Sequence, residues 1–196
     1  MSVEFSPNSI GQVVNRDALE PDFPTHHRDP LFWEELGRLI ATFGFMEWVL
    51  GRAIYVLTAT RTVDEDAAPL ALKKWEQQLK VALTGTLKEL AELYDSVAKS
   101  NSKFCYDGHS DLVAELNKIS TLRNALCHGA WGPPDELGDS PLFFVNKQME
   151  KFDTKISAPF LKQTRLHVRE VAIEIINVVT SRGYTFPGAP PHNPRS

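Results

Sequence analysis

Six consecutive residues near the middle of the chain, Arg123-Asn124-Ala125-Leu126-Cys127-His128, place a guanidinium, a carboxamide and an imidazole within two turns of one expected helix. A histidine exchanges protons near neutral pH and suits general acid–base work, while an arginine can stabilise developing negative charge. His128 falls at the end of that helix, just before Gly129, where the dipole favours positive charge; this suits a general acid and equally a plain helix cap. Asn117, Thr121, Asn124 and His128 follow one another at three- or four-residue steps, so they form a polar stripe with Asn124 beneath His128. At about 100° per residue, Arg123 and His128 lie about 140° apart around an ideal helix. One helix therefore does not aim both at one atom. The length of the arginine, a distorted last turn at Gly129, or a second copy of the chain must close the gap.

Two charges interrupt apolar stripes. Glu47 completes the series Leu36, Ile40, Phe43, Leu50, Ile54, Leu57, and Arg123 completes Leu112, Leu116, Ile119, Leu126. A lone charge on a buried stripe is costly, whereas a carboxylate facing a guanidinium forms a bidentate, charge-assisted pair. The helices that carry Glu47 and Arg123 are expected to meet there. Such a pair either supports a site or does no more than fix helix register.

The elements that must position these groups are helical. Leu36 to Leu57 mark a long amphipathic helix over about residues 31–60, and a second helical stretch runs from about Ala67 to Lys99 with a break point at Thr84-Gly85-Thr86. After a loop over 101–108, Ser110 or Asp111 is expected to cap a third helix that Gly129 ends. Residues 142–147 and 151–157 read as two short strands of a peripheral hairpin, and Leu161 to Val179 mark a fourth helix. The expected fold is thus all-α, a bundle of about four main helices with a small β-hairpin between the third and fourth. Residues 1–30 read as an N-terminal arm, 31–182 as the helical domain and 183–196 as a Pro-rich C-terminal tail.

At 196 residues with 42% hydrophobic residues, the chain can build one ordinary core. Its net charge of −4 argues against holding nucleic acid through a broad basic surface, so any such binding must be local. Acidic residues gather early (Asp17, Glu20, Asp22) and basic ones late (Lys147, Lys151, Lys155). No apolar run approaches the roughly 20 residues of a membrane helix and the start lacks a leader-like pattern, so a cytoplasmic protein is expected. Cys105 and Cys127 lack Cys-x-x-Cys spacing and read as free thiols, Cys127 as part of the core.

Other constellations are weaker. His26-His27 with Asp22 and Asp29 sits in a Pro-rich segment without metal-ligand spacing, and His167 with Glu170 reads as a surface pair, so no metal and no cofactor are expected. Cys127 and His128 are sequence neighbours and point about 100° apart, which disfavours a Cys-His nucleophile. Gly-x-x-x-x-Gly-Lys, Gly-x-Gly-x-x-Gly, His-Glu-x-x-His and Gly-x-Ser-x-Gly do not occur.

Arg123-Asn124-Ala125-Leu126-Cys127-His128, followed by Gly129 and Trp131, resembles the Arg-x(4–6)-His motif of the HEPN superfamily in its four-residue spacing, with asparagine directly after the arginine. The resemblance covers about residues 31–182 and includes the glutamate on the first helix, Glu47. It implies a HEPN-like bundle and a metal-independent endoribonuclease. The ribose 2′-hydroxyl attacks the adjacent phosphorus, leaving a 2′,3′-cyclic phosphate and a 5′-hydroxyl end. On this reading Arg123, His128 and Asn124 are catalytic, with Glu47 and Thr121 in support. It further implies an RNA substrate, a homodimer that completes the site, and a toxin or phage-defence role with an antitoxin as a candidate partner. Members without catalysis imply the alternative, a module that binds RNA or a protein partner.

Overall fold

The computed structural model describes residues 15–25, 29–101, 104 and 106–186. His26, His27 and Cys105 lie outside the described residues, as do most of the arm and the end of the tail. Five helices follow in order: α1 (Pro30–Ala59), α2 (Ala68–Thr84), α3 (Leu87–Lys99), α4 (His109–His128) and α5 (Ala158–Thr180). A two-stranded antiparallel ribbon, β1 (Ala130–Trp131) with β2 (Leu142–Phe143), lies between the last two. The fold is all-α with this one small ribbon among the described residues.

The Asp29 carboxylate accepts the Leu31 N–H at 2.9 Å and Pro30 stands in the first turn, so α1 starts with both a side-chain cap and a preset φ. Its thirty residues extend about 45 Å at ~1.5 Å each. Phe32, Leu39, Phe43, Met46, Leu50, Ala53 and Leu57 bury one side completely or nearly so. α5 lies along α1 most extensively, α3 and α2 cover further sides, and α4 touches it more briefly. By length and composition α1 would also pass for a membrane span, which corrects the expectation that no segment would; here its apolar side is the core of the bundle.

The second helical stretch is two helices, because the break at Thr84-Gly85-Thr86 is complete. Gly85 is extended, and a capping box starts α3: the Thr86 N–H donates to the Glu89 carboxylate at 2.7 Å and the Glu89 N–H donates to the Thr86 hydroxyl. This makes five helices where about four were expected. Neither Ser110 nor Asp111 caps α4; Gly108, with φ 97°, turns the chain into His109 instead. The His109 ring meets the Asp95 carboxylate of α3 at 2.9 Å, so the first residue of α4 is tied to its neighbour.

The expected hairpin of 142–147 with 151–157 forms no regular strands; Val145 pairs with Lys151, the Phe152 N–H meets the Phe144 carbonyl, and Ser140, before the expected strand, pairs with Ile156. The regular ribbon pairs β2 with β1 instead. The tail also begins later than expected, since Phe186 is 4% exposed and packs on Trp48 at 5.7 Å between centroids.

Glu35 on α1 and Arg165 on α5 form a two-point ion pair, with Nε to Oε2 at 2.9 Å and Nη2 to Oε1 at 3.4 Å. The hydrogen bond from Arg165 holds the Glu35 carboxyl below its ordinary range, against a smaller opposing push from burial. A carboxylate depressed on folding stabilises above its ordinary pKa and loses that contribution as pH falls through the folded value. Glu35→Gln should therefore lower the urea midpoint at neutral pH and flatten its decline between about pH 5 and pH 3. An unchanged acid limb would count against the pair.

Candidate functional site

α4 carries the candidate residues on two faces. On the face toward α1, Arg123 Nη2 lies 3.6 Å from Glu47 Oε1, so the two charges meet between helices as their stripe positions require. Both side chains remain about a quarter exposed, 26% and 28%. The reason lies in α1: Ile40, on the same series as Glu47, is 37% exposed, so the buried side is centred on residues 39, 43, 46 and 50 and Glu47 stands at its edge. The bidentate geometry expected for this pair occurs instead at Glu35–Arg165. Glu47 Oε1 is enclosed and accepts no hydrogen bond, leaving the guanidinium at 3.6 Å as its stabilising charge.

Arg123 Nη1 also donates to Asn124 Oδ1 at 3.4 Å. Asn124 thus connects the two faces, and no hydrogen bond joins it to His128 among the described residues. Cys127, one turn after Arg123, is exposed rather than part of the core. Partial burial of its sulfur pushes the thiol up, Arg123 draws it down, and Glu47 pushes it up again. A raised thiol is a poor nucleophile. This agrees with excluding a Cys-His pair.

On the other face, Asn117, Thr121, Asn124 and His128 line one cleft of about 600 Å³, as their spacing requires. The Thr121 hydroxyl donates to the Asn117 carbonyl at 3.0 Å, so it is turned along the helix, and His128 is exposed at the cleft's end. The opposite wall is the segment 144–148, with Thr86 and Lys88 from the start of α3 closing a third side. A hairpin read from sequence as peripheral therefore borders the candidate histidine. Arg123 is not among the lining residues; it reaches the cleft only through its hydrogen bond to Asn124.

Gly129 explains how the segment arrives there. It ends α4 in an extended conformation with its N–H on the Ala125 carbonyl at 2.8 Å. A Cβ at this position would stand 2.6 Å from Leu142 Cδ1 and 2.7 Å from the Ala125 oxygen, so β2 crosses directly over the helix end. Trp131 then packs edge-on against Phe32 at 5.2 Å and fixes β1 to α1. His167 pairs with Glu115 of α4 at 3.1 Å, whereas Glu170 takes Arg169. The sequence carried no direct signal for the 144–148 wall, because it lies far from the motif along the chain and arrives through pairing.

Comparison with protein-family models, with curated proteins and with solved structures found no match.

The opposing effects on Cys127 provide a local probe. In a Cys105→Ser background, Glu47→Ala should move the pH midpoint of Cys127 alkylation downward, and Arg123→Ala should move it upward. Each loses a partly exposed ion pair, at a cost of up to about 1 kcal/mol in urea unfolding. Shifts of the same sign in both variants would contradict the arrangement.

Proposed function

We propose that this chain is a metal-independent endoribonuclease of the HEPN type. The observation that carries the reading is the segment from Arg123 to His128 closing α4: its arginine is held by Glu47 from the central helix, and its histidine lies at the end of an open polar cleft. The proposed reaction uses the 2′-hydroxyl of the RNA itself. The 2′-hydroxyl gives up its proton as its oxygen forms a bond to phosphorus, the bond from phosphorus to the 5′-oxygen breaks, and the departing oxygen takes up a proton, so the step is proton-neutral overall. His128 moves a proton at a sugar oxygen, Arg123 stabilises the charged phosphoryl oxygens, and Asn124 orients His128 or donates to the phosphate. Thr121 and Glu47 are positioning residues, Glu47 through Arg123. The nucleophile is internal to the substrate, so the proposed step requires no metal-bound water.

The separation of Arg123 and His128 on one helix supports a composite site, with one protomer's arginine and its partner's histidine at a two-fold interface of α4 ends. A cytoplasmic toxin or phage-defence effector, held in check by an antitoxin protein, is the proposed setting. The second reading is a non-catalytic module that binds RNA or a protein. It draws on the same separation, taken as the finished arrangement, and on the net charge of −4.

Purified protein should cleave single-stranded or looped RNA in excess EDTA, and His128→Ala should lower the rate at least 100-fold with an unchanged unfolding curve. One 2′-deoxy substitution at the cut should block cleavage, since it removes the nucleophile. Active protein should run as a dimer in light scattering at micromolar concentration. Equal cleavage by wild type and His128→Ala would reject the assignment of His128, and full activity in a strictly monomeric sample would reject the shared site.

A further inference from the structure

The wall of the cleft opposite His128 has features that the cleavage chemistry does not use. Segment 144–148 is a tightly closed turn: the Asn146 N–H donates to the Glu150 carbonyl at 3.0 Å, and Asn146 Oδ1 accepts the N–H groups of Gln148 and Glu150 at 3.0 and 2.9 Å. Asn146 Nδ2 donates to the Glu150 carboxylate at 2.7 Å. The base of the turn is held where the Phe152 N–H meets the Phe144 carbonyl at 2.9 Å. Lys147 is thereby carried on a preorganised tip, and no ion-pair partner lies within 4 Å of it among the described residues. It is near enough to Glu89 to help hold that carboxyl down, after the larger effects of Thr86. Lys88, also on the cleft, has only a loose exposed pair with Glu92 at 3.8 Å, which constrains it little.

Two lysines on separate elements thus flank a cleft whose floor is the polar stripe of α4 and whose far wall includes Phe144 and Val145. No carboxylate is among the residues that line the cleft, although Glu89, Glu92 and Glu150 stand close behind, so the two lysines are the charges that a polyanion beside His128 would meet first. A volume of about 600 Å³ suits a small ligand rather than a duplex. Amide and hydroxyl groups next to an aromatic ring suit an unpaired base, whose edge and face are both open to contact.

We infer that this cleft binds single-stranded RNA next to the cut, with Lys88 and Lys147 each holding a backbone phosphate and Phe144 with Val145 supporting a base. Segment 144–148 is then a substrate-selecting element, and Asn146 acts on it as a positioning residue. The position of the cut rests on the ribonuclease reading of His128, but binding in the cleft does not require cleavage.

The test is fluorescence anisotropy with a short labelled single-stranded RNA of mixed sequence, bound to full-length His128→Ala protein across a salt series. Adding Lys88→Ala and Lys147→Ala together should weaken binding at low salt several-fold or more. It should also reduce the slope of log affinity against log salt by about 1.4, or about 0.7 for each lost single-strand contact. Adding Lys73→Ala and Lys99→Ala, which remove two exposed lysines away from the cleft, should leave the slope unchanged. Equal losses in both pairs, an unchanged slope in the first, or no RNA binding at all would overturn the inference. If wild type cleaves RNA and the Lys88/Lys147 pair leaves KM untouched, the cleft assignment fails while the ribonuclease reading stands. If wild type never cleaves but binds through these two lysines, the reverse holds.

Discussion

The structure depends on burying one side of α1. A thirty-residue helix exposes far more apolar surface than one neighbour can cover, so α5, α3 and α2 are arranged around it and α4 is left with a narrower contact. That arrangement decides what is available for function. A helix packed on all sides has no open polar stripe, whereas α4 buries Leu112, Leu116, Ile119 and Leu126 and leaves Asn117, Thr121, Asn124 and His128 to line a cleft.

Two carboxylates on α1 take arginines from different helices, and the difference between them follows from their angular position. Glu35 is 7% exposed, lies closer to the buried face and pairs at two points with Arg165. Glu47, at the edge, keeps a longer contact to Arg123 in a partly solvated setting. A close, buried pair resists separation because either charge left alone would be stranded, while a partly exposed pair exchanges more readily with water or with another anion. The two guanidiniums are about equally exposed, 26% for Arg123 and 23% for Arg165, so what sets Arg123 apart is its longer, single contact to a more solvated carboxylate.

The end of α4 is where local and long-range constraints meet. Gly129 lets the chain leave the helix in an extended conformation beneath Leu142, Trp131 fastens β1 against Phe32, and β2 then returns across the helix end. The turn at 146–150 is the continuation of that return. Its placement across from the polar stripe is a consequence of ribbon pairing, and through it one basic residue late in an acidic chain, Lys147, comes to stand beside the candidate site.

Much of this was legible in the sequence where spacing alone decides the outcome. The 3.6-residue period located the long first helix, the run ending at Gly129 and the last helix, and the same period put Asn117, Thr121, Asn124 and His128 on one face and predicted that Glu47 would meet Arg123. Periodicity does not measure how wide a buried face is or where its centre falls, so it placed Glu47 and Ile40 within the stripe when they stand at its edge. Cys127, read from sequence as part of the core, is exposed, and the pairing of Glu35 with Arg165 had no counterpart in the sequence reading. The break at Thr84-Gly85-Thr86 was visible as a possibility, but only the capping box and the packing of two separate helices made it complete. The wall formed by segment 144–148, the start of α3 beside it and the seating of Phe186 depend on contacts between residues far apart in the chain. No local pattern encodes these, because the free energy that selects them comes from surfaces that exist only once the helices have packed.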